Sequence, residues 1–231
     1  MIRFENTEVF GWNASVRGMR NAMNSWDKSD TTFEYAYGAM HSFRLGENDL
    51  KLMRGLTDSG DDHGKYARFL VVQVDITAPF YWWKEFKTYR KGRRFMDDGD
   101  EFLDPEDFEM HIETNSCSTM HKIHAKEFEL DDFSHEHLLE AFKADLGRIV
   151  KSLNAARSMY LKTKDKDFWW QMIQLLPSSY NQKRTVQLNY QVLKNMYFAR
   201  QNHKLDEWRY FCKWIEELPY FRQIVLEGKN D

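Results

Sequence analysis

The sequence predicts a mixed α/β (α+β) fold, a small sheet with long C-terminal helices. Three observations predict it. A β-branched apolar stretch, FLVVQVDI at Phe69–Ile76, runs straight into an aromatic helix. Helical periodicity fills most of the second half. Hydrophobic residues at 42% and charged residues at 30% of 231 positions provide both a core and a solvated surface, so one domain spanning 1–231 is expected without disulfide or metal support.

The elements follow in order. Ile2–Trp12 alternates loosely and is rich in Phe, Val and Trp, which suits a strand. Asn13–Trp26 turns to helix formers, and a second helix is expected over about Asp49–Leu56, closed by Gly60. Phe69–Ile76 is the clearest strand, with Pro79 at its exit. Bulky residues at helical spacing predict a helix over Tyr81–Arg90. Arg93–Glu113 is acidic, holds Gly99 and Pro105 and lacks apolar periodicity, so a surface insertion is expected at about 93–114. Its Phe95, Phe102 and Phe108 would suit a cover over a site. Ser134 is expected to cap a long helix over about His135–Tyr160, followed by a helix over Asp167–Leu175 before Pro177. Apolar residues three and four apart predict two more, Arg184–His203 and Leu205–Leu218.

Composition narrows the function. A net charge of -3 offers no field for nucleic acid, and no apolar stretch approaches the roughly 20 residues of a membrane span. Two cysteines, Cys117 and Cys212, and an N-terminus unlike a signal peptide point to a reducing, cytoplasmic setting. The pairs His121/His124 and His135/His137 lack the ligand patterns of a metal site, so none is expected. Residue type alone would allow Cys117 to pair with His121 or His63 as a nucleophile, but a free cysteine is more often a small buried residue. Likewise Trp82/Trp83 and Trp169/Trp170 suit core packing as well as stacking on a flavin or base.

Four segments, taken together, resemble the flavin-dependent thymidylate synthases. DDH at Asp61–His63, the Phe69–Ile76 strand, Pro79 and a helix ending in Tyr89-Arg90 resemble that family's run from Phe-Glu-His to its Arg-His-Arg signature. NSCSTMH at Asn115–His121 resembles Asn-Glu-x-Ser-x-Arg-Tyr, with Asn115 and Ser118 in the matching places. Leu176-Pro177 precedes a segment whose Asn189, Asn195 and Arg200 match the family's Asn, Asn and Arg. On helical geometry 189, 192, 196 and 200 would share a face, with Asn195 beside it. The likeness covers roughly His63 to Arg200.

The resemblance implies reduced FAD as the carrier of a one-carbon unit from methylenetetrahydrofolate to a pyrimidine deoxynucleotide, dUMP to dTMP or a close variant. NADPH would be the reductant, in a homotetramer. It assigns Arg90 and Ser118 to catalysis, His63, Tyr89, Asn189 and Asn195 to the cofactor, and Ser118, Arg200 and Glu85 to the substrate. Several family positions differ: Thr88 and Tyr89 replace the signature's first Arg and its His, and Ser116 and Met120 replace the Glu and Arg of the second motif. Gln191 and Ile173 stand where the family has arginines. A phosphate needs such cations. Arg184, Lys183, Lys87, Arg93 and Arg94 lie near the matched motifs and are candidates to supply charge from new positions. Two alternatives therefore stand beside the one-carbon transferase: a flavin- or nucleotide-binding homologue with a different pyrimidine modification, and a non-catalytic interaction protein of the same fold.

Overall fold

The structure, a computed structural model, describes residues 1–90 and 112–227, the side chains of Ala39, Tyr89 and Arg90 excepted. The expected insertion, with Arg93, Arg94, Phe95, Phe102 and Phe108, lies outside the described residues except for positions 112–114. In chain order the elements are β1 (Arg3–Phe10), α1 (Trp12–Arg20), β2 (Thr32–Ala36), β3 (Ala39–Arg44), α2 (Glu47–Asp58), β4 (Val71–Pro79) and α3 (Phe80–Phe86). There follow β5 (Glu113–Ser116), α4 (Thr119–Lys122), α5 (Glu140–Thr163), α6 (Lys166–Gln174), β6 (Asn181–Asn189), α7 (Tyr190–Arg200) and α8 (Asp206–Glu216). Four strands form one sheet in the order β1-β4-β6-β5, and β2 pairs antiparallel with β3 in a separate hairpin. The architecture is thus mixed α/β, a small sheet with long helices.

The chain divides into two compact units whose boundaries fall inside β1, β4, β5 and β6. The first comprises Met1–Glu5, Asp75–Arg90 and Thr114–Val186. In its part of β4, Ile76 and Ala78 are fully buried, and the strand passes through Pro79 into α3, whose Trp82, Trp83 and Phe86 are buried. Proline suits this junction because its fixed φ and missing N–H cost nothing at a helix entrance. The core around α5 and α6 gathers Phe128, Phe133, Leu146, Leu153 and Met172. Asn154, on α5, clamps the preceding loop: its Nδ2 donates to the Phe128 carbonyl and its Oδ1 accepts from the Phe128 amide, each at 2.8 Å.

The second unit comprises, among the described residues, Asn6–Val74, Ile112, Glu113 and positions 187–227. Its core is aromatic: Trp12 stacks on Phe43 at 4.6 Å between centroids and meets Tyr190 and Tyr220 edge-on. The chain enters α1 through Gly11, whose φ is +90° and whose absent Cβ would lie 1.9 Å from the Phe69 carbonyl oxygen. Only glycine fits there. A charged hub lies deeper. The Asp49 carboxylate, wholly buried, accepts from Arg20 Nε at 2.6 Å, Thr31 Oγ1 at 2.6 Å and Ser29 Oγ at 2.7 Å, and from the amides of Asp30 and Thr31.

Three expectations are corrected. The helix expected over Arg184–His203 is a strand through Asn189 and a helix only from Tyr190. Its inward positions are Gln182, Arg184, Val186 and Leu188, so polar side chains interrupt the apolar alternation that marks a strand. Asn189 accordingly stands at the N-cap of α7 instead of sharing its face, while Val192 and Met196 point into the core. Ser134 does not cap α5, which begins at Glu140; the Ser134 amide donates to Ser179 O and its hydroxyl to Asn181 Oδ1. The predicted Asn13–Trp26 helix ends at Arg20, and β2, β3 and β5 were not expected. The outer positions of β2 are exposed on both faces, which leaves no period-two apolar signal.

Candidate functional site

Within the first unit, the residue that follows β5 is tied to β6 by two hydrogen bonds. The Cys117 amide donates to Lys183 O at 3.1 Å, and Gln182 Nε2 returns a hydrogen bond to Cys117 O at 2.8 Å. Gln182 does more than join these segments. Its backbone oxygen accepts from Trp83 Nε1 at 3.0 Å, and its side-chain oxygen accepts from Arg184 Nε at 2.9 Å. The Arg184 guanidinium lies 4.3 Å from the Trp83 ring centroid, a cation-π arrangement, and only 8% of the residue is exposed. An arginine so held has its plane and direction fixed before any ligand arrives.

Arg184 lines a cavity of about 590 Å³ together with Lys84 and Lys87 from α3 and the turn after it. The hydroxyl residues Thr114, Ser116 and Thr119 share its wall, and no carboxylate among the described residues does. A second cavity in the same unit, about 530 Å³, mixes signs: Lys122, Lys126 and Lys183 face Glu5, Asp131 and Asp132. There Lys183 is already engaged, 3.1 Å from Glu5 and 3.3 Å from Asp75. Hydrogen bonds to these carboxylates raise the Lys183 pKa, so its charge serves the sheet edge.

The residues singled out from the sequence fall into both units. In the first, Ser118 lines the second cavity and caps α4, its Oγ accepting from the His121 amide at 3.0 Å while its O–H remains able to donate. Glu85 is half-buried on α3, and its carbonyl accepts from Thr88 Oγ1 at 2.7 Å. Tyr89 and Arg90 close the turn after α3, and their side chains lie outside the described residues. Cys117 is exposed, unlike the small buried residue expected, and its thiol makes no hydrogen bond with a described residue. Cys212 is buried, and burial pushes its thiol pKa up to about 12. Cys212 is therefore not an activated nucleophile.

In the second unit Gln191 links Asn195 to Asp61, two residues before His63. Gln191 Nε2 donates to Asp61 Oδ1 at 2.8 Å and to Asn195 Oδ1 at 3.2 Å, and its Oε1 sits 3.6 Å from where a Cβ on Gly64 would stand. Lys194 Nζ pairs with the same Asp61 oxygen at 3.3 Å. The Asn189 Oδ1 accepts from the Val192 amide at 3.0 Å, which caps α7 and leaves the amide NH₂ to donate outward. His63 is exposed, and its imidazole makes no hydrogen bond with a described residue. Arg200, at the far end of α7, stacks on Trp208 at 4.8 Å. Sequence reasoning missed Gln182, Asp61 and Lys194. An Asn placed at the end of an alternating run and before a helical one is the signal that would have identified the α7 cap.

With this geometry in hand, solved structures supply the comparison. Thymidylate synthase X from Helicobacter pylori, solved with FAD and dUMP, superposes with a TM-score of 0.64 at 15% identity, covering 100% of both chains. The fold is that of a flavin-dependent thymidylate synthase. A second structure of the Helicobacter pylori flavin-dependent enzyme, also complexed with FAD and dUMP, gives a TM-score of 0.63 at 16% identity over 97% of this chain and 99% of that one. No protein-family model and no curated protein sequence matches. The thymidylate-synthase fold thus spans the whole chain at an identity where sequence comparison alone finds nothing. Among the described residues no group of three His, Cys, Asp or Glu is placed to hold a metal ion, and no helix is long and apolar enough to cross a membrane.

Proposed function

We propose that this chain binds FAD and a pyrimidine deoxynucleotide and transfers a one-carbon unit to that nucleotide, converting dUMP to dTMP or performing a close variant. The observation that carries the reading is the end-to-end fold correspondence with a synthase solved with FAD and dUMP. The donor set in the second unit fits a flavin. An isoalloxazine presents mainly acceptor atoms along its polar edge, and the exposed His63 imidazole and the NH₂ of Asn189 are donor types that suit such an edge.

Bound there, the flavin would supply the redox chemistry of methylene transfer, with methylenetetrahydrofolate and NADPH as co-substrates. The protein's own groups bind and orient. His63, Tyr89, Asn189 and Asn195 hold the cofactor, and Arg90 stabilises charge developing on the pyrimidine. Ser118 donates its free O–H to the nucleotide, and Glu85 and Arg200 fix the nucleotide's position. Exposed Leu139, Phe142, Met159 and Trp170 on and beside α5 and α6 support assembly with further copies, here proposed as a homotetramer in the cytoplasm.

A second reading has its own support. Ser118 and Asn189 serve as helix caps, and Gln191 is tied to Asp61, as in a scaffold that keeps the fold without the chemistry. Absorbance decides between them. Purified protein should show flavin bands, natively or on titration with FAD, and dUMP should shift them; His63→Ala should weaken FAD binding with folding intact. A colourless protein indifferent to both ligands would leave the scaffold reading. Complementation of a thymidine auxotroph then separates dTMP synthesis from another pyrimidine modification.

A further inference from the structure

We infer that the cavity of about 530 Å³ around Cys117 binds a small acidic peptide disulfide, each half carrying two carboxylates and one ammonium, and that Cys117 exchanges with it to form a mixed disulfide. The inference goes beyond flavin and nucleotide chemistry and depends on neither.

Charge selects the ligand. Arg3, Lys122, Lys126 and Lys183 line this cavity with Glu5, Asp131 and Asp132. Two of the cations are engaged within the protein: Lys183 pairs with Glu5 and Asp75, and Lys126 with Asp132, whose other oxygen accepts from the Glu129 amide at 3.0 Å. Arg3, Lys122 and Asp131 are exposed, and none of them forms an ion pair with a described residue. Two cations and one carboxylate therefore remain. A phosphate dianion would meet Asp131 as a repulsive neighbour, whereas two carboxylates and one ammonium complement all three groups. The volume lies in the usual range of small-molecule sites.

A buried hydroxyl gives independent support. Thr77, on β4, is only 7% exposed and lines the cavity, and its hydroxyl makes no hydrogen bond with a described residue. A polar group so buried favours an occupant that pairs with it. Tyr180 lines the same space. Burial raises its pKa, and Asp132 and Cys117 raise it further, so the phenol keeps its proton and can donate. Cys117 is exposed, and its amide and carbonyl are fixed by Lys183 O and Gln182 Nε2. A disulfide seated on Arg3, Lys122 and Asp131 would thus stand beside a thiol whose backbone is already placed, which raises its effective concentration.

The step balances without another reagent. The Cys117 thiolate attacks one sulfur of the bound disulfide, and a new S–S bond to Cys117 forms as the ligand's own S–S bond breaks. The departing half leaves as a thiolate and takes up the proton that Cys117 released. Cys117 is oxidised and the departing half is reduced.

The test treats the full chain with oxidised glutathione and follows intact mass and peptide maps over time. One adduct is expected, on Cys117 and not on the buried Cys212, at a rate that saturates with disulfide concentration. Arg3→Ala/Lys122→Ala should slow it about tenfold or more, and both positions are exposed, so the variant should fold. Asp131→Asn should slow it too, because the ammonium loses its partner. Uncharged hydroxyethyl disulfide should react equally with wild type and double variant. Lys151→Ala, on α5, is the charge control and should react as wild type. The inference is overturned by absence of a Cys117 adduct, by a rate that rises linearly without saturation, or by a double variant as fast as wild type. A double variant slowed equally toward the uncharged disulfide, or an Asp131→Asn variant that reacts faster, would overturn it as well.

Discussion

Two arginines are buried among the described residues, and they meet different partners. Arg20 meets a wholly buried carboxylate, Asp49, which is saturated by three side chains and two backbone amides. Arg184 donates to an amide oxygen, that of Gln182, and lies over the Trp83 indole at the wall of a cavity. The first arrangement pairs charge with charge and fastens the loop at 25–31 to α2. The second joins β6 to α3 through an amide and an indole.

Four outcomes would break or sharpen that contrast. The largest effect is expected from Asp49→Asn, which strands the buried Arg20 charge and should cost about 3–5 kcal/mol of stability in urea unfolding. A loss under about 1 kcal/mol would show that the hub is not a fastening. Acid should reveal the same pair. Burial pushes the Asp49 pKa up, but hydrogen bonds from Thr31, Ser29 and Arg20, with the guanidinium's charge, outweigh it, so the net pKa is lowered. Its contribution is therefore complete above the unfolded carboxyl value of about 3.9 and is lost as the pH falls through the lower folded one. The wild type should steepen its stability loss in that window, and Asp49→Asn should lack that component. Arg184→Met comes next, at about 1–2 kcal/mol, since the change retains side-chain volume and leaves the Gln182 oxygen short of a donor. A penalty as large as that of Asp49→Asn would erase the distinction between the two arginines. Lys84→Ala/Lys87→Ala should stay within about 0.5 kcal/mol of wild type by thermal melting, because both positions are exposed.

The same two kinds of residue explain what could be read in advance. β4 and α3 were legible because Val72, Val74 and Ile76 alternate inward and bulky aromatics follow at helical spacing. β6 was not, because Gln182 and Arg184 occupy inward positions and so remove the strand's apolar signature. Of the site, the motif positions were visible, and the hydrogen bond of Gln191 to Asn195 was not, since it needs the boundary of α7. The Trp83–Gln182–Arg184 arrangement was not visible, since its members lie on elements distant in sequence and no local pattern links an indole to a guanidinium. Asn189 was identified as a polar group worth noting, and its capping role became plain only with the strand that precedes it.

The clamp formed by Asn154 has a consequence on a different timescale. Because one side chain on α5 takes up both the N–H and the C=O of Phe128, the amide of that loop residue can exchange with solvent deuterium only when the helix lets go of the loop. Phe128 should therefore report the opening of a long-range tether from within a loop, exchanging far more slowly than its exposed neighbour Glu127.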